Sequence, residues 1–416
     1  MPVRRSLVCS LAAPLPPPVL ALLGDFRLMV NCGVREALAQ GLTARGSLTK
    51  FSQRLARDLR VHGAHARTAM DTALSLDAGH RRRLRQDPRV HVPYVRTPFL
   101  IADDATFHLD PTTGHLRLSL RNGEWAGLDL RLSDWHRSVL HGRRVKQLRL
   151  NANRAVLVFE KEVRAPYSPR SVLALDTNER SLDGVLLQRR RATPVVVPFP
   201  DVATIQHRHF VRRRKLARKK AHDRRVGRTL VRREGRRERR RVVQRLHLLT
   251  KMLVAQARKR KAAIVLEDLH LPRGGGRGRR MRRRLSAWPQ RELHRQIEYK
   301  AEELGVPVFK VNPKNTSKTC PRCGEIYERR RRVGRVFVCA KCGWRCDRQL
   351  NAGLNICRTV LREAPQGPSN SGLGGLRLDP DALSEDAMTL LYAPGRAGAH
   401  GRSGRKGRID VASPTR

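Results

Sequence analysis

Cys320-Pro-Arg-Cys323-Gly324 and Cys339-Ala-Lys-Cys342-Gly343 are two C-x-x-C-G knuckles, with fifteen residues between Cys323 and Cys339. Four thiolates at this spacing close a tetrahedral zinc site, and the glycine after each pair lets the chain turn without a Cβ clash. Sulfur fills every coordination position. Cys320, Cys323, Cys339 and Cys342 therefore predict a structural zinc ribbon over residues 316–346, not a metal that acts on substrate. Cys346 is a spare thiol without a role, and Cys9, Cys32 and Cys357 read as packing residues.

The ribbon interrupts a very basic chain. Its 416 residues carry 87 Lys plus Arg against 36 Asp plus Glu, a net charge of +51. Such an excess opposes compaction unless a polyanion is bound. A solvated basic surface or an arginine-favouring genome would also raise the count, but clustering of the charges points to nucleic acid. Aromatic residues are only 4 % of the chain. Base stacking is then a minor grip, phosphate contacts dominate, and sequence has to be read by other means. The hydrophobic share of 40 % supports packed cores in two or three domains. No run of eighteen apolar residues predicts a membrane span. Arg4-Arg5 and Leu7-Val8-Cys9 faintly suggest an export signal, but Pro14, Pro16, Pro17 and Pro18 break it. A thiol metal site suits a reducing compartment, so a cytoplasmic protein is expected.

Residues 1–170 mix helices, read over 24–41 and 49–59, with a β-rich stretch over 89–165 around the turn Asp110-Pro111-Thr112-Thr113-Gly114. They fit a small β-barrel with a helical insert. A second unit starts at Ser171. Val172-Leu173-Ala174-Leu175 is an apolar strand ending in Asp176, and a hairpin follows through 184–187 and 195–197. A basic helical region covers about 204–260, with Val242, Leu246, Leu249 and Leu253 on one face and Gly227 and Gly235 as expected interruptions. Ala262-Ala263-Ile264-Val265-Leu266 is a second buried strand, ending at Glu267. Residues 272–285 read as a basic loop, 288–304 as a helix, 306–311 as an edge strand because of Pro307, and 348–362 as a last helix. The tail, 364–416, reads as disordered, with a short helix possible over 379–391.

Asp176 and Glu267 occupy equivalent places, each at the end of an apolar strand, where ligands gather in α/β folds. Asp347 is a third acid, at the start of the last helix. Three carboxylates from separate elements could hold two hard divalent cations at a phosphodiester. Each acid also has a plainer reading: Asp176 capping a turn through Thr177 and Asn178, Glu267 pairing with an arginine, and Asp347 capping the helix.

The ordered set of motifs decides between these readings. Val172 to Asp176 with Asn178-Glu179, then Ile264 to Leu269, then Asn315-Thr316-Ser317-Lys318-Thr319-Cys320, the knuckles, and Asp347-Arg348-Gln349-Leu350-Asn351-Ala352-Gly353-Leu354-Asn355-Ile356 resemble the TnpB family. These are insertion-sequence proteins related to the compact type V CRISPR effectors. The Asp-Thr-Asn-Glu form of the first motif is similar to archaeal members. The resemblance covers about 171–357.

It implies an α/β RNase H-like (RuvC) nuclease domain with an inserted zinc ribbon, plus an N-terminal wedge β-barrel with a helical recognition insert over 1–170. The nuclease core would span 171–315, the target-strand-loading ribbon 316–346, and the last motif and helix 347–363. It implies an RNA-guided DNA endonuclease, with a guide RNA from the transposon end, a double-stranded DNA target, Zn2+ in the ribbon and two Mg2+ at Asp176, Glu267 and Asp347. The basic helix, with Arg212, Arg213, Arg214, Lys215, Lys219, Lys220, Arg239, Arg240 and Arg241, would line the guide–target channel. A solvated helix face is the alternative. One departure stands out: Gln349 sits where many members have the catalytic aspartate. Either Asp347 takes over as third ligand, or the chain binds DNA under RNA guidance without cutting. A zinc-ribbon RNA-binding protein without nuclease chemistry is the more distant reading.

Overall fold

The computed structural model describes residues 3–363 apart from 45, 122, 190, 200, 221, 270–277, 279–282, 284 and 327–335, together with 409–410. The chain divides into two compact units, Met1–Glu162 and Val163–Arg416.

The first unit runs β1 (Val3–Leu11), α1 (Pro17–Ala39), α2 (Thr49–Asp58), α3 (Gly63–Leu84), β2 (Leu100–Asp103), β3 (Phe107–Leu109), β4 (His115–Arg121), β5 (Glu124–Arg131), α4 (Asp134–Leu140), β6 (Val145–Asn151) and β7 (Arg154–Lys161). Its strands form one antiparallel sheet in the order β2-β6-β7-β1-β5-β4-β3. The two edges, β2 and β3, are consecutive in the chain, and only residues 104–106 join them. Four Cα steps span at most about 14 Å, so the sheet has to curl until its edges meet. No ladder of hydrogen bonds joins β2 to β3 among the described residues; chain continuity holds the edges together.

The stretch that faintly suggested an export signal is the strand β1, which lies inside the sheet and buries Leu7 and Cys9. The prolines after it start α1, with Pro17 at the first turn, where a missing N–H costs nothing. The helix read from residue 24 thus begins earlier. Helix α3 was not singled out in the sequence. It buries small residues, Ala66, Ala69 and Ala73, which leave little hydrophobic signal. They let α1 approach so closely that a Cβ at Gly33 would lie 2.9 Å from Ala73 Cβ.

The second unit runs β8 (Ser171–Thr177), β9 (Ser181–Gln188), β10 (Arg191–Pro198), α5 (Val202–Lys220), a π-helical turn (Val226–Val231), α6 (Arg232–Lys259), β11 (Ala262–Glu267), α7 (Gln290–Leu304), β12 (Val308–Val311), β13 (Val336–Val338), β14 (Arg345–Asp347) and α8 (Arg348–Glu363). The main sheet has the order β12-β11-β8-β9-β10, with β15 (Ile409–Asp410) beside β10. β8, β9 and β10 form an antiparallel meander, while β11 and β12 run parallel to β8.

Both faces of this sheet are covered, which is why β8 and β11 are apolar throughout. On one face Leu173, Leu175 and Ile264 meet Leu246 and Leu253 of α6 and Leu293 and Ile297 of α7. On the other, Val172, Ala174 and Val265 meet Leu354, Cys357 and Leu361 of α8. Val242, Leu246, Leu249 and Leu253 are all buried, as their four-three-four spacing requires. Each is worth roughly 1.5–3 kcal/mol over exposure.

Gly227 falls in the π-helical turn, but Gly235 does not interrupt α6, which runs through it. Helix α7 starts at Gln290, two residues later than read. Most of 272–285 and of the tail, including 379–391, lies outside the described residues.

Helix α8 touches the sheet through glycine. A Cβ at Gly353 would lie 2.6 Å from Gly184 Cα, and one at Gly184 would lie 1.9 Å from Ala174 O. Two missing side chains let the helix rest directly on β9.

Candidate active site and cysteine cluster

Leu266 of β11 stands opposite Leu175 of β8 in the parallel register. The next residues, Glu267 and Asp176, therefore leave adjacent strands on the same side. Glu267 is only 5 % exposed. Burial, then the charge and hydrogen bond of Glu267, then the charge of Asp183 push the Asp176 carboxyl up to about 7. Burial also raises Glu267, against the hydrogen bond from Thr316. Two desolvated acids sharing a hydrogen bond are a costly arrangement that a bound cation relieves, so the pair suits a hard divalent ion.

The pair lies in an open cleft of about 510 Å³, also lined by Asn178, Thr316, Asp347 and Gln349. All three acids singled out in the sequence thus reach one cleft. Asp347 also keeps its plainer role. Its Oδ1 accepts the Gln349 N–H at 2.8 Å, capping the start of α8. Gln349, where the resemblance leads one to expect an acid, faces the same cleft.

A hydrogen-bonded path ties this cleft to the cysteines. Thr316 Oγ1 donates to Glu267 Oε1. Asn355 of α8 donates to the carbonyls of Thr316 at 2.8 Å and Thr319 at 2.7 Å. Asn351 donates to the Thr319 carbonyl and Arg358 to that of Pro321. One face of α8 therefore fixes both the first knuckle and the loop that holds Glu267.

The sulfurs of Cys320, Cys323, Cys339 and Cys342 lie within 4.8 Å of one another. The Cys320–Cys342 and Cys323–Cys339 separations are 3.6 and 3.5 Å. A tetrahedron with Zn–S near 2.3 Å has edges of about 3.8 Å, so the cluster fits zinc. Gly324 and Gly343, at φ +78° and +69°, make the two turns. The Glu325 amide holds the Cys323 thiol down at about 7. Cys346 takes no part in the cluster. Its sulfur accepts from Trp344 Nε1 at 3.2 Å.

The basic residues lie on α5 and α6. Arg212, Arg214, Lys215, Lys219, Arg239, Arg240 and Arg241 are exposed, whereas Arg213 is half-buried. Lys220 ends α5. Two acids stand between these helices. Glu234, buried, accepts from His209 at 2.8 Å with Arg212 nearby, and Glu238 pairs with Arg213.

Sequence reasoning did not single out Asp183, and quoted Asn178 and Thr316 only as parts of motifs. Asp183 lies across from Asp176 in the β8–β9 register. Its Oδ2 accepts from Asn178 Nδ2 at 2.9 Å and Ser181 Oγ at 2.7 Å.

The second unit thus brings together one mixed sheet, two strand-end acids and a four-cysteine cluster. The Cas12f1-like TNB domain family matches residues 291–356. A TnpB-like protein of Methanocaldococcus jannaschii is 29 % identical over 214 residues, 49 % of this chain and 73 % of its own length. A CRISPR-associated endodeoxyribonuclease Cas12f1 from an uncultured archaeon is 34 % identical over 87 residues, 20 % of this chain and 16 % of its own. The chain thus spans about a sixth of that relative. The fold is similar to Cas12f1 as seen in its complex with sgRNA and target DNA, with a TM-score of 0.62 at 12 % identity, covering 85 % of this chain and 98 % of the other. The chain is thus similar to TnpB-like proteins and, over a shorter stretch, to the compact Cas12f1 endodeoxyribonucleases. Among the described residues no helix is long and apolar enough to cross a membrane.

Proposed function

We propose that this chain is an RNA-guided DNA endonuclease of a transposable element. The observation that carries the reading is the burial of Asp176 and Glu267 side by side in a cleft that Asp347 also lines. Asp176 and Glu267 would hold the cations, with Asp347 as third ligand across the cleft. Divalent cations there, Mg2+ in the cell, would supply Lewis-acid activation of water and neutralise charge at the scissile phosphate. Thr316 keeps Glu267 in place, and the ribbon, with zinc on Cys320, Cys323, Cys339 and Cys342, presents the target strand. The exposed arginines and lysines of α5 and α6 bind the guide–target duplex through its phosphates, while base pairing supplies sequence specificity. The curled sheet of the first unit serves as the wedge domain, and α1 to α3 as its recognition insert. The guide is an RNA from the transposon end.

The test is cleavage of a target plasmid by the ribonucleoprotein purified with its co-expressed RNA, with and without Mg2+. Cutting that needs Mg2+ and is lost in Asp176→Ala and Glu267→Ala supports the reading. RNA-directed binding without cutting at any Mg2+ or Mn2+ concentration overturns it. That second outcome, a guided binder acting as a repressor, is the reading that Gln349 in the cleft favours.

A further inference from the structure

We infer that Trp288 and His294 are positioning residues for the cation site, holding the end of β8 so that Asp176 keeps its place beside Glu267. They act through Thr177 and Asn178. The inference rests on the reading of the cleft as a divalent-cation site.

The end of β8 is supported by strand pairing on one side only. The β8–β11 ladder stops where Leu175 faces Leu266, whereas β9 continues past that point and pairs with Asp176 and Thr177. Side chains alternate along a strand. Thr177 therefore continues the face of Leu173 and Leu175, which meets α6 and α7, while Asp176 continues the face of Val172 and Ala174. A grip on Thr177 from behind the sheet sets the pleat that aims Asp176 from the front.

Two grips come from the start of α7. Gln290 Nε2 donates to His294 Nδ1 at 3.3 Å. With Nδ1 accepting, the ring proton sits on Nε2, which donates to Thr177 Oγ1 at 2.9 Å. Burial, then the charge of Lys310, push His294 down to about 4, which keeps the ring neutral. Just before α7, Trp288 Nε1 donates to the Asn178 carbonyl at 3.1 Å. Asn178 itself lines the cleft. One residue after Asp176 is thus held by its side chain, and the next by its backbone.

Core packing alone does not account for this chemistry. Leu293, Ile297 and Ala301 pack α7 on the sheet with apolar side chains. Gln290, His294 and Thr177 are as deeply buried but polar, and they meet where the helix passes the end of β8. A satisfied buried network of this kind gains little over apolar groups of the same shape, but it fixes orientation.

The experiment titrates the full-length chain with Mn2+ at pH 8, follows free ion by electron paramagnetic resonance, and records thermal unfolding in EDTA alongside. The variants are His294→Leu, His294→Gln, Thr177→Val and Trp288→Phe, with Glu267→Gln as control. His294→Leu is expected to weaken Mn2+ binding about tenfold, at the lower end of the range seen for groups that orient metal ligands. Thr177→Val and Trp288→Phe each remove one hydrogen bond and should weaken it about threefold or more. His294→Gln, whose amide nitrogen can take the place of Nε2, should stay within about threefold of wild type. A packing role would move the unfolding midpoint and leave the Mn2+ affinity of the folded chain unchanged. Should His294→Leu not fold, Thr177→Val and Trp288→Phe decide the matter. Wild-type Mn2+ affinity in the folded variants, or a loss in His294→Gln as large as in His294→Leu, overturns the inference and leaves the cation site standing. No Mn2+ binding by the wild type, or binding unaffected by Glu267→Gln, overturns the site itself and the inference with it.

Discussion

Thr316 Oγ1 donates a 2.5 Å hydrogen bond to Glu267 Oε1, and the Thr316 carbonyl is in turn held by Asn355. A hydroxyl at the start of the ribbon thereby fixes the orientation of a buried acid at the end of a strand. Thr316→Val keeps the shape and removes the donor. A hydrogen bond to a charged group is worth about 1.5–3 kcal/mol, so guided cleavage at limiting Mg2+ should fall about 10- to 100-fold. Single-turnover cleavage across a Mg2+ series measures it. An unchanged profile would show that Glu267 needs no such support.

The metal-free chain should lose stability as pH rises. Asp176 has a folded-state pKa near 7, raised above the ordinary aspartate value of 3.8. Its folded state therefore binds the proton more tightly than the unfolded state does. The resulting stabilisation is complete below about 4 and disappears as pH passes through about 7. Glu267 is shifted in the same direction. Thermal unfolding without divalent ions should give a higher midpoint at pH 5.5 than at pH 8, and Mg2+ should raise the midpoint more at pH 8. A larger Mg2+ effect at pH 5.5 would contradict the paired-acid arrangement.

Gly353→Ala should disturb α8. Its Cβ would meet Gly184 Cα at 2.6 Å and the Gly184 carbonyl carbon at 3.1 Å, both backbone atoms that no side-chain rotation can move. Overpacking of this kind costs about 1–3 kcal/mol. Urea unfolding of the variant should show a lower midpoint at the wild-type slope. Because Asp347 immediately precedes this helix and Gln349 lies in its first turn, cation affinity should fall as well. Wild-type stability would mean that α8 lifts from β9 at little cost.

Cys320→Ser should release zinc and loosen the ribbon. Metal analysis of the wild type should find one zinc per chain, and the variant far less. Limited proteolysis should then open sites within 316–346. Since Asn351, Asn355 and Arg358 all grip carbonyls of the first knuckle or the loop before it, cleavage should fall along with the zinc. Absence of zinc from the purified wild type would remove the ribbon assignment.

Much of the second unit was legible because its chemistry is local. Val172 to Leu175 and Ala262 to Leu266 are short apolar runs, each ending in an acid, and both faces of such strands have to be buried. The four cysteines declare their geometry through spacing alone. Asp183 was not legible. Ser181-Leu182-Asp183-Gly184 reads as the start of a hairpin strand, and only the cross-strand register puts its carboxylate beside Asp176. Thr316 stood out only within a motif, since its bond to Glu267 spans 49 residues. In the first unit, β1 was missed because strands next to it in space lie more than a hundred residues away, at β5 and β7. Helix α3 was missed because alanines make a poor hydrophobic stripe. Gly235 misled because helix propensity is a weak prior. The glycine costs α6 about 1 kcal/mol, and the packing of Val242, Leu246, Leu249 and Leu253 outweighs it.

The glutamates between α5 and α6 bear on how two arginine-rich helices can pack side by side. Glu234 with His209 and Glu238 with Arg213 neutralise, from inside, the seam where two arginine-rich helices would otherwise push apart. The hairpin is thus held together by its own side chains. Ordering entropy at these helices is spent during folding, which leaves the outward-facing arginines displayed on a rigid scaffold.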